Sequence, residues 1–221
     1  MTITEALGST PRPRKSQGGG GKRNETDEEL SDYEKELVSI DLPALREVSE
    51  DVIGWIAIPG TEVFYPLMRA EDNSYYLNHT WNGAASSVGS IFLEYRNPSD
   101  LSGFNSIIYG HQMMNGSMFG GLSKFVDEDY LKEHPLIYIV TDNGVQQYDI
   151  FAASEVGVQS VIYKANISKE ESRQEMIDFS VANSVVDTGI VPSIDGHIIT
   201  LSTCTGRGYD TRWIVQGVLR E

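Results

Sequence analysis

One residue in this chain can serve as a strong nucleophile near neutral pH, and it occurs once: Cys204. The thiolate is the reactive form of cysteine, and a neighbouring cation favours it over the free thiol, whose pKa is about 8.5. The stretch around it, His197 to Leu219, reads HIITLSTCTGRGYDTRWIVQGVL. Ile198–Thr203 and Trp213–Leu219 are rich in the β-branched and aromatic residues that favour strands. A short Gly-rich loop separates them, with Cys204 at its mouth. Side chains alternate along a strand, so Ser202 and Cys204 share one face. A lone thiol at a strand end, followed by an arginine entering the next strand, is the pattern of a nucleophile with a cation beside it.

Such a nucleophile needs a base or ion-pair partner, and the chain offers four histidines. His197 lies seven residues upstream on the same strand; at about 3.3 Å per residue that is roughly 23 Å away, beyond hydrogen-bond reach. His134 precedes a proline at an expected helix end and His79 lies in a polar loop, so both read as surface residues. His111 is different. It follows the apolar run SIIYG and precedes QMMNGSMFGG, which places it just past a strand end in a Gly-containing loop. Catalytic side chains are often carried on such loops above a rigid scaffold.

The elements that must position this pair are mostly strands. IGWIAI stops at Pro59-Gly60, a turn signal, and EVFYPLM follows. Further strands are expected at Ser90–Tyr95, Ser106–Tyr109, Leu136–Thr141 and Gln146–Ala153, the last two flanking the hairpin signal Asp142-Asn143-Gly144. A helix is expected from about Lys169 to Ala182, with Met176, Ile177 and Phe179 inward. Upstream, Thr26 or Asp27 can cap a helix carrying Leu30, Tyr33 and Leu37, which Pro43 breaks before a second short helix with Leu45 and Val48. Many short strands with peripheral helices make the fold mainly β, a closed or nearly closed barrel rather than βαβ units.

Composition narrows the function. Residues 1–24 carry five Lys/Arg against one acid, leaving 12 bases against 31 acids in the remainder. So acidic a body is no general nucleic-acid binder. A single cysteine excludes an intramolecular disulfide and any multi-thiolate metal centre, and the scattered histidines offer no ligand set, so neither metal nor cofactor is expected. No apolar run approaches the roughly 18–20 residues of a membrane span. The chain divides at this level into a basic, Gly-rich tail (1–24), N-terminal helices packed on the main domain (25–52), and a catalytic β-domain (53–221). The tail, with PRPRK and GGGGK, has too little apolar content to offset the entropy of ordering.

These residues together resemble the sortase family. TLSTC (Thr200–Cys204), followed by Arg212 in TRWIVQGVL, is similar to the sortase TLxTC strand and its downstream strand-borne arginine. YGHQMMNGSMFGGL (Tyr109–Leu122), EDNSYYLN (Glu71–Asn78) and GSIFLEYRN (Gly89–Asn97) resemble segments of class B sortases, in the expected order. The resemblance implies an eight-stranded sortase-type barrel with an N-terminal helical pair and a helix before the seventh strand. It implies a cysteine transpeptidase on the outer face of a Gram-positive bacterial membrane. Its partners would be a sorting-signal peptide and an amine acceptor from peptidoglycan or a pilin lysine. Sortases of this kind usually begin with a membrane anchor, and the basic tail stands where that anchor is expected.

Carried over by position, Cys204 is the nucleophile, His111 the acid/base and Arg212 the oxyanion-stabilising or substrate-orienting group. Arg207 competes, being only three residues after the thiol, but it sits among glycines, whereas Arg212 enters a strand and can be held rigidly. Tyr109, Ser202, Thr203 and Asn73 are the candidate substrate-binding residues. Two other readings stand beside this one. A papain-like hydrolase would carry its cysteine at a helix start with the histidine downstream, the reverse of the order here. A non-enzymatic β-domain with a buried structural thiol would account for the apolar strand, since free Cys is commonly buried, but not for His111 and Arg212.

Overall fold

A computed structural model describes residues 31–220. The proposed 1–24 tail and the helix-cap candidates Thr26 and Asp27 lie outside the described residues. The chain opens with two short helices, α1 (Asp32–Val38) and α2 (Leu42–Arg46). Ser31 caps α1: its hydroxyl accepts from Glu34 N–H, and the Glu34 carboxylate accepts from Ser31 N–H. Pro43 does not break the first helix, as the sequence implied. It sits in the first turn of α2, where its missing N–H costs no bond, and Asp41 caps that helix.

Eight strands follow: β1 (Val52–Ala57), β2 (Phe64–Met68), β3 (Ile91–Leu93), β4 (Asn105–Tyr109), β5 (Leu136–Thr141), β6 (Gly144–Gly157), β7 (Ile198–Cys204) and β8 (Thr211–Leu219). They close into a barrel in the order β1-β2-β3-β4-β7-β8-β6-β5. Two neighbour pairs, β2–β3 and β4–β7, run parallel, and the rest are antiparallel. Helix α3 (Glu128–Glu133) precedes β5, and α4 (Glu170–Asn183) lies between β6 and β7, within a residue of the span read from sequence. The Asp142-Asn143 turn joins β5 to β6 with Thr141 paired to Gly144.

Three apolar clusters follow from strand alternation. Inside the barrel lie Ile56, Leu67, Ile108, Ile199, Leu201 and Val215, joined by Phe119, Leu122 and Phe125 from the segment after His111. Outside, the first two helices pack Leu37, Leu42 and Leu45 against Trp55, Met68 and Phe92. On another outer face, Met176 and Ile177 of α4 cover Phe151, Ile198 and Ile214. The segment between β4 and β7 is thus flanked by two packed shoulders, and the ends of those two central strands carry His111 and Cys204.

Candidate active site

Cys204 is the last residue of β7, partly buried and in no disulfide. It pairs directly with Arg212 of β8. Residues opposite one another across an antiparallel pair share a face, with Cβ atoms about 5 Å apart, so the Arg212 side chain starts beside the thiol. Arg212 Nη1 donates to the carbonyls of Tyr209 and Thr211, each at 2.8 Å. Its Nε and Nη2 hydrogens have no protein acceptor among the described residues. The guanidinium is therefore anchored at one nitrogen and open at the other two, as a fork aimed at a ligand should be.

Arg207 points elsewhere. It forms an ion pair with Glu155 and lies over the Trp213 ring, 5.5 Å from its centroid. Glu155 and Trp213 are themselves a cross-strand pair, one position out of phase with Cys204 and Arg212, so they belong to the other face. The loop 205–210 is pinned by the Thr205–Thr211 hydroxyl contact at 3.1 Å and by Val158 N–H donating to Asp210 O at 2.9 Å.

The β4–β7 register lays the strand that precedes the histidine beside the strand that carries Cys204. Tyr109 pairs with Ser202, and Gly110 N–H donates to Ser202 O at 3.2 Å, extending the ladder past the end of β4. The paired register ends at Tyr109–Ser202, so His111 lies two residues past it on one segment and Cys204 two residues past it on the other. Gly110 is required there, since a Cβ would lie 2.4 Å from Ile91 Cδ1 and 2.8 Å from Phe119. After His111 the chain folds back, with Phe119 N–H donating to His111 O at 3.0 Å.

The His111 ring is held by a carbonyl: Nε2 lies 2.6 Å from Leu77 O. A carbonyl only accepts, so Nε2 carries the proton and Nδ1 is the open nitrogen of the neutral ring. Leu77 ends the 3-10 turn Tyr75–Leu77, which Asp72 starts by accepting from the N–H groups of Ser74 and Tyr75. Those donors pull the exposed Asp72 carboxyl below its ordinary pKa. Gly89 backs the arrangement at φ +63°: a Cβ there would meet Tyr76 O at 2.5 Å, Leu77 O at 2.9 Å and His111 Cδ2 at 3.0 Å.

Ser202 and Tyr109 lie on the same strand faces, two residues before Cys204 and His111. The Ser202 hydroxyl is buried and shares a 2.8 Å hydrogen bond with Tyr163 OH. Burial raises the Tyr163 pKa, while the Ser202 hydrogen bond and the Arg212 charge oppose that and a Cys204 charge adds to it. Tyr163 thus lies within electrostatic reach of both site groups as a neutral phenol. Tyr109 donates to Glu94 Oε2 at 3.1 Å, and burial followed by the Glu94 charge pushes its pKa up as well.

Asn73 and Thr203 are placed differently from the other two. Asn73 Nδ2 donates to Glu94 at 2.6 Å and its Oδ1 accepts from Tyr95 N–H at 3.0 Å, so the amide is occupied in fastening a loop. Thr203 falls on the alternate face with Ile199 and Leu201, its hydroxyl buried without a partner. Its side chain is therefore on the face opposite to that of Cys204, unlike those of Ser202 and Tyr109.

Sequence reasoning missed Tyr163, Glu94 and the Leu77 carbonyl. Tyr163 lies in a 3-10 turn with no periodic pattern, and a carbonyl leaves no trace in residue type; only Glu94, an acid closing the apolar run IFL, carried a signal. Among the described residues, no three His, Cys, Asp or Glu side chains gather to hold a metal ion. A cavity of about 310 Å³ lies under α3 and residues 186–190, beside Ile150. It is remote from Cys204, because Ile150 pairs with Gly217, five residues along β8 from Arg212. Cys204 and Arg212 lie instead at the ends of β7 and β8, next to β4.

Comparison with known proteins identifies the family. The Sortase domain model matches residues 56–220. Sortase B of Listeria monocytogenes is 34% identical over 183 residues, covering 81% of this chain and 74% of that protein. Sortase B of Staphylococcus aureus is 26% identical over 175 residues, covering 79% and 72%. Among solved structures, the Staphylococcus aureus sortase B–substrate complex superposes with a TM-score of 0.77 at 25% identity, covering 81% of this chain and 84% of that one. The eight-stranded barrel and the matched domain lead to one conclusion: the chain belongs to the sortase family, in its class B branch, and is a cysteine transpeptidase.

Proposed function

We propose that this transpeptidase cleaves a sorting signal of a bacterial surface protein after its threonine, with Cys204 as nucleophile, His111 as acid/base and Arg212 as the oxyanion or substrate-orienting group. The observation that supports the assignment is the strand register, in which Cys204 pairs with Arg212 on one side and β4, ending two residues before His111, pairs with β7 on the other. The thiolate of Cys204 attacks the threonine carbonyl of a Thr–Gly or Thr–Asn type bond, forming a C–S bond and a tetrahedral oxyanion. The Arg212 fork, always charged and open at two nitrogens, is suited to that oxyanion or to the adjacent substrate carbonyl. As the C–N bond breaks, imidazolium His111 gives its proton to the departing amine. Neutral His111 then accepts a proton from the incoming amine, which displaces the thiolate from the thioester.

Tyr109, Ser202 and Tyr163 form the wall beside this centre that a peptide would meet. Ser202 and Tyr163 can exchange their mutual hydrogen bond for one to a substrate backbone. Asn73 serves through the loop it holds. The acceptor we assign is a peptidoglycan or pilin amine, and the place of action the outer face of the bacterial membrane. No helix among those residues is long and apolar enough to cross a membrane.

The test is cleavage of two fluorogenic peptides, one with an Asn-Pro-x-Thr type signal and one with Leu-Pro-x-Thr-Gly, each with a set of candidate amines. Class B behaviour is faster turnover of the Asn-Pro peptide and an amide-linked product with one amine. Faster turnover of the Leu-Pro peptide would contradict the substrate assignment.

A further inference from the structure

The geometry points to Glu94 as a positioning residue that holds His111 in place from two directions; the inference rests on the role of His111 proposed above. Glu94 follows β3, and its side chain has no solvent exposure. Its two oxygens receive four hydrogen bonds. Oε1 accepts from Arg96 Nε at 2.7 Å and from Arg96 N–H at 3.2 Å. Oε2 accepts from Asn73 Nδ2 at 2.6 Å and from Tyr109 OH at 3.1 Å. Every partner is a donor, so the site is built for a carboxylate, which only accepts. Burial alone would raise its pKa, but the Arg96 and Asn73 hydrogen bonds and the Arg96 charge outweigh it and leave the carboxyl below its ordinary value.

The two arms on Oε2 lead to the histidine by separate routes. Tyr109 is the last residue of β4, two before His111, so its phenol fixes the end of the strand from which the ring projects. Asn73 lies two residues before the 3-10 turn Tyr75–Leu77, whose last residue offers the carbonyl that accepts from His111 Nε2–H. One buried charge therefore ties together the strand that carries the imidazole and the loop that sets its tautomer. Ordinary packing does not need a charge here, since a buried carboxylate is costly unless its partners are arranged for it. Exposed Arg96 supplies the counter-charge on its outer side.

Glu94→Gln is the sharp perturbation. It preserves shape but removes the charge that holds all four donors and sets an NH2 group against two of them, either the Arg96 groups or both the Asn73 and Tyr109 arms. The measurement is long-range ¹H–¹⁵N NMR of the histidine rings in the full chain, with steady-state kinetics on the same samples. In the wild type, His111 is expected as the Nε2–H tautomer. In Glu94→Gln its ring nitrogens should move towards a tautomer mixture while those of His134 and His197, held by other carbonyls, stay fixed. kcat should fall about tenfold or more with KM changed far less, as expected for a displaced catalytic group. His111 signals and kcat within twofold of wild type would overturn the proposal.

If Glu94→Gln loses the His134 and His197 signals through unfolding, Asn73→Ala cuts the loop arm alone and must show the same His111 shift. An unmoved His111 in that variant counts against the proposal equally. A His111 shift in an enzyme that cleaves no sorting peptide, even as wild type, would sink the functional reading while leaving the positioning role intact. A wild type whose cleavage depends on His111, with His111 unmoved in both variants, would sink the positioning role alone.

Discussion

Arg212 and Arg207 are five residues apart, and the structure assigns them to different faces, so replacing each by alanine gives a sharp contrast. Arg207 is exposed; its ion pair with Glu155 joins side chains that are 63% and 31% accessible. Such a pair contributes about 0.2–1 kcal/mol, and the contact with Trp213 about 0.5–1 kcal/mol more at an exposed site. Even if about 1 kcal/mol of that loss were transmitted to the transition state through a loosened 205–210 loop, the rate would fall only about fivefold. Arg212, the cross-strand partner of Cys204, is anchored at Nη1 to two carbonyls and open at Nε and Nη2. Removing an oxyanion donor costs roughly 2.7–4 kcal/mol, a loss of about 10²–10³ in kcat. Arg212→Lys should rescue little, because a point charge on a flexible stem cannot reproduce the planar fork. The assay is steady-state cleavage of a fluorogenic sorting peptide by the three variants at one pH, with folding checked by circular dichroism. A dead Arg207→Ala beside an Arg212→Ala of near-normal turnover would refute the argument.

Three further outcomes follow from local geometry. Gly89→Ala should lower kcat by at least tenfold while the fold survives, because its Cβ would enter the space of the Leu77 carbonyl and the His111 ring; turnover within twofold of wild type would contradict this. Leu201→Ala, in the barrel interior with no exposure, should cost about 2–5 kcal/mol in a urea titration, and a loss under 1 kcal/mol would show that the core is not packed as described. Glu94 makes stability pH-dependent with a definite sign. Its folded pKa lies below the ordinary 4.5, so its contribution is fully present above that value and is lost as pH falls through the lower folded value. The gap in urea midpoint between wild type and Glu94→Gln should therefore narrow below about pH 4.5; a gap that stays constant down to pH 3 would exclude an ionised Glu94 facing Arg96, Asn73 and Tyr109.

Local chemistry was readable from the chain, and non-local pairing was not. Asp142-Asn143-Gly144 announced the β5–β6 hairpin because a two-residue turn is encoded by its own residues. Cys204 and Arg212 could be matched because one short loop joins their strands, so alternation alone puts them on one face. The parallel β2–β3 and β4–β7 pairs are different, since their connections are long and no residue pattern states which strands will meet. It is the second of these that lays the end of β4, two residues before His111, beside β7, so the histidine could be singled out by its strand-end setting but not placed. β6 extends to Gly157, past the expected end at Ala153, because its pairing with β8 carries polar residues such as Ser154 and Glu155 into the sheet. Thr203 could be placed by alternation: with Cys204 facing out, its neighbour faces in. Tyr163, Glu94 and the Leu77 carbonyl act through contacts across the barrel surface that no spacing in the sequence records.

The most direct test of the account is to trap the intermediate. The full chain is mixed with excess Asn-Pro-x-Thr sorting peptide and no amine, quenched in acid, and its intact mass and peptide map are measured. The account predicts a mass increase equal to the acyl portion ending in threonine, located on Cys204, released by hydroxylamine and absent in Cys204→Ala. An unmodified Cys204 in a sample that has nevertheless cleaved the peptide, or an adduct on any other residue, would contradict it.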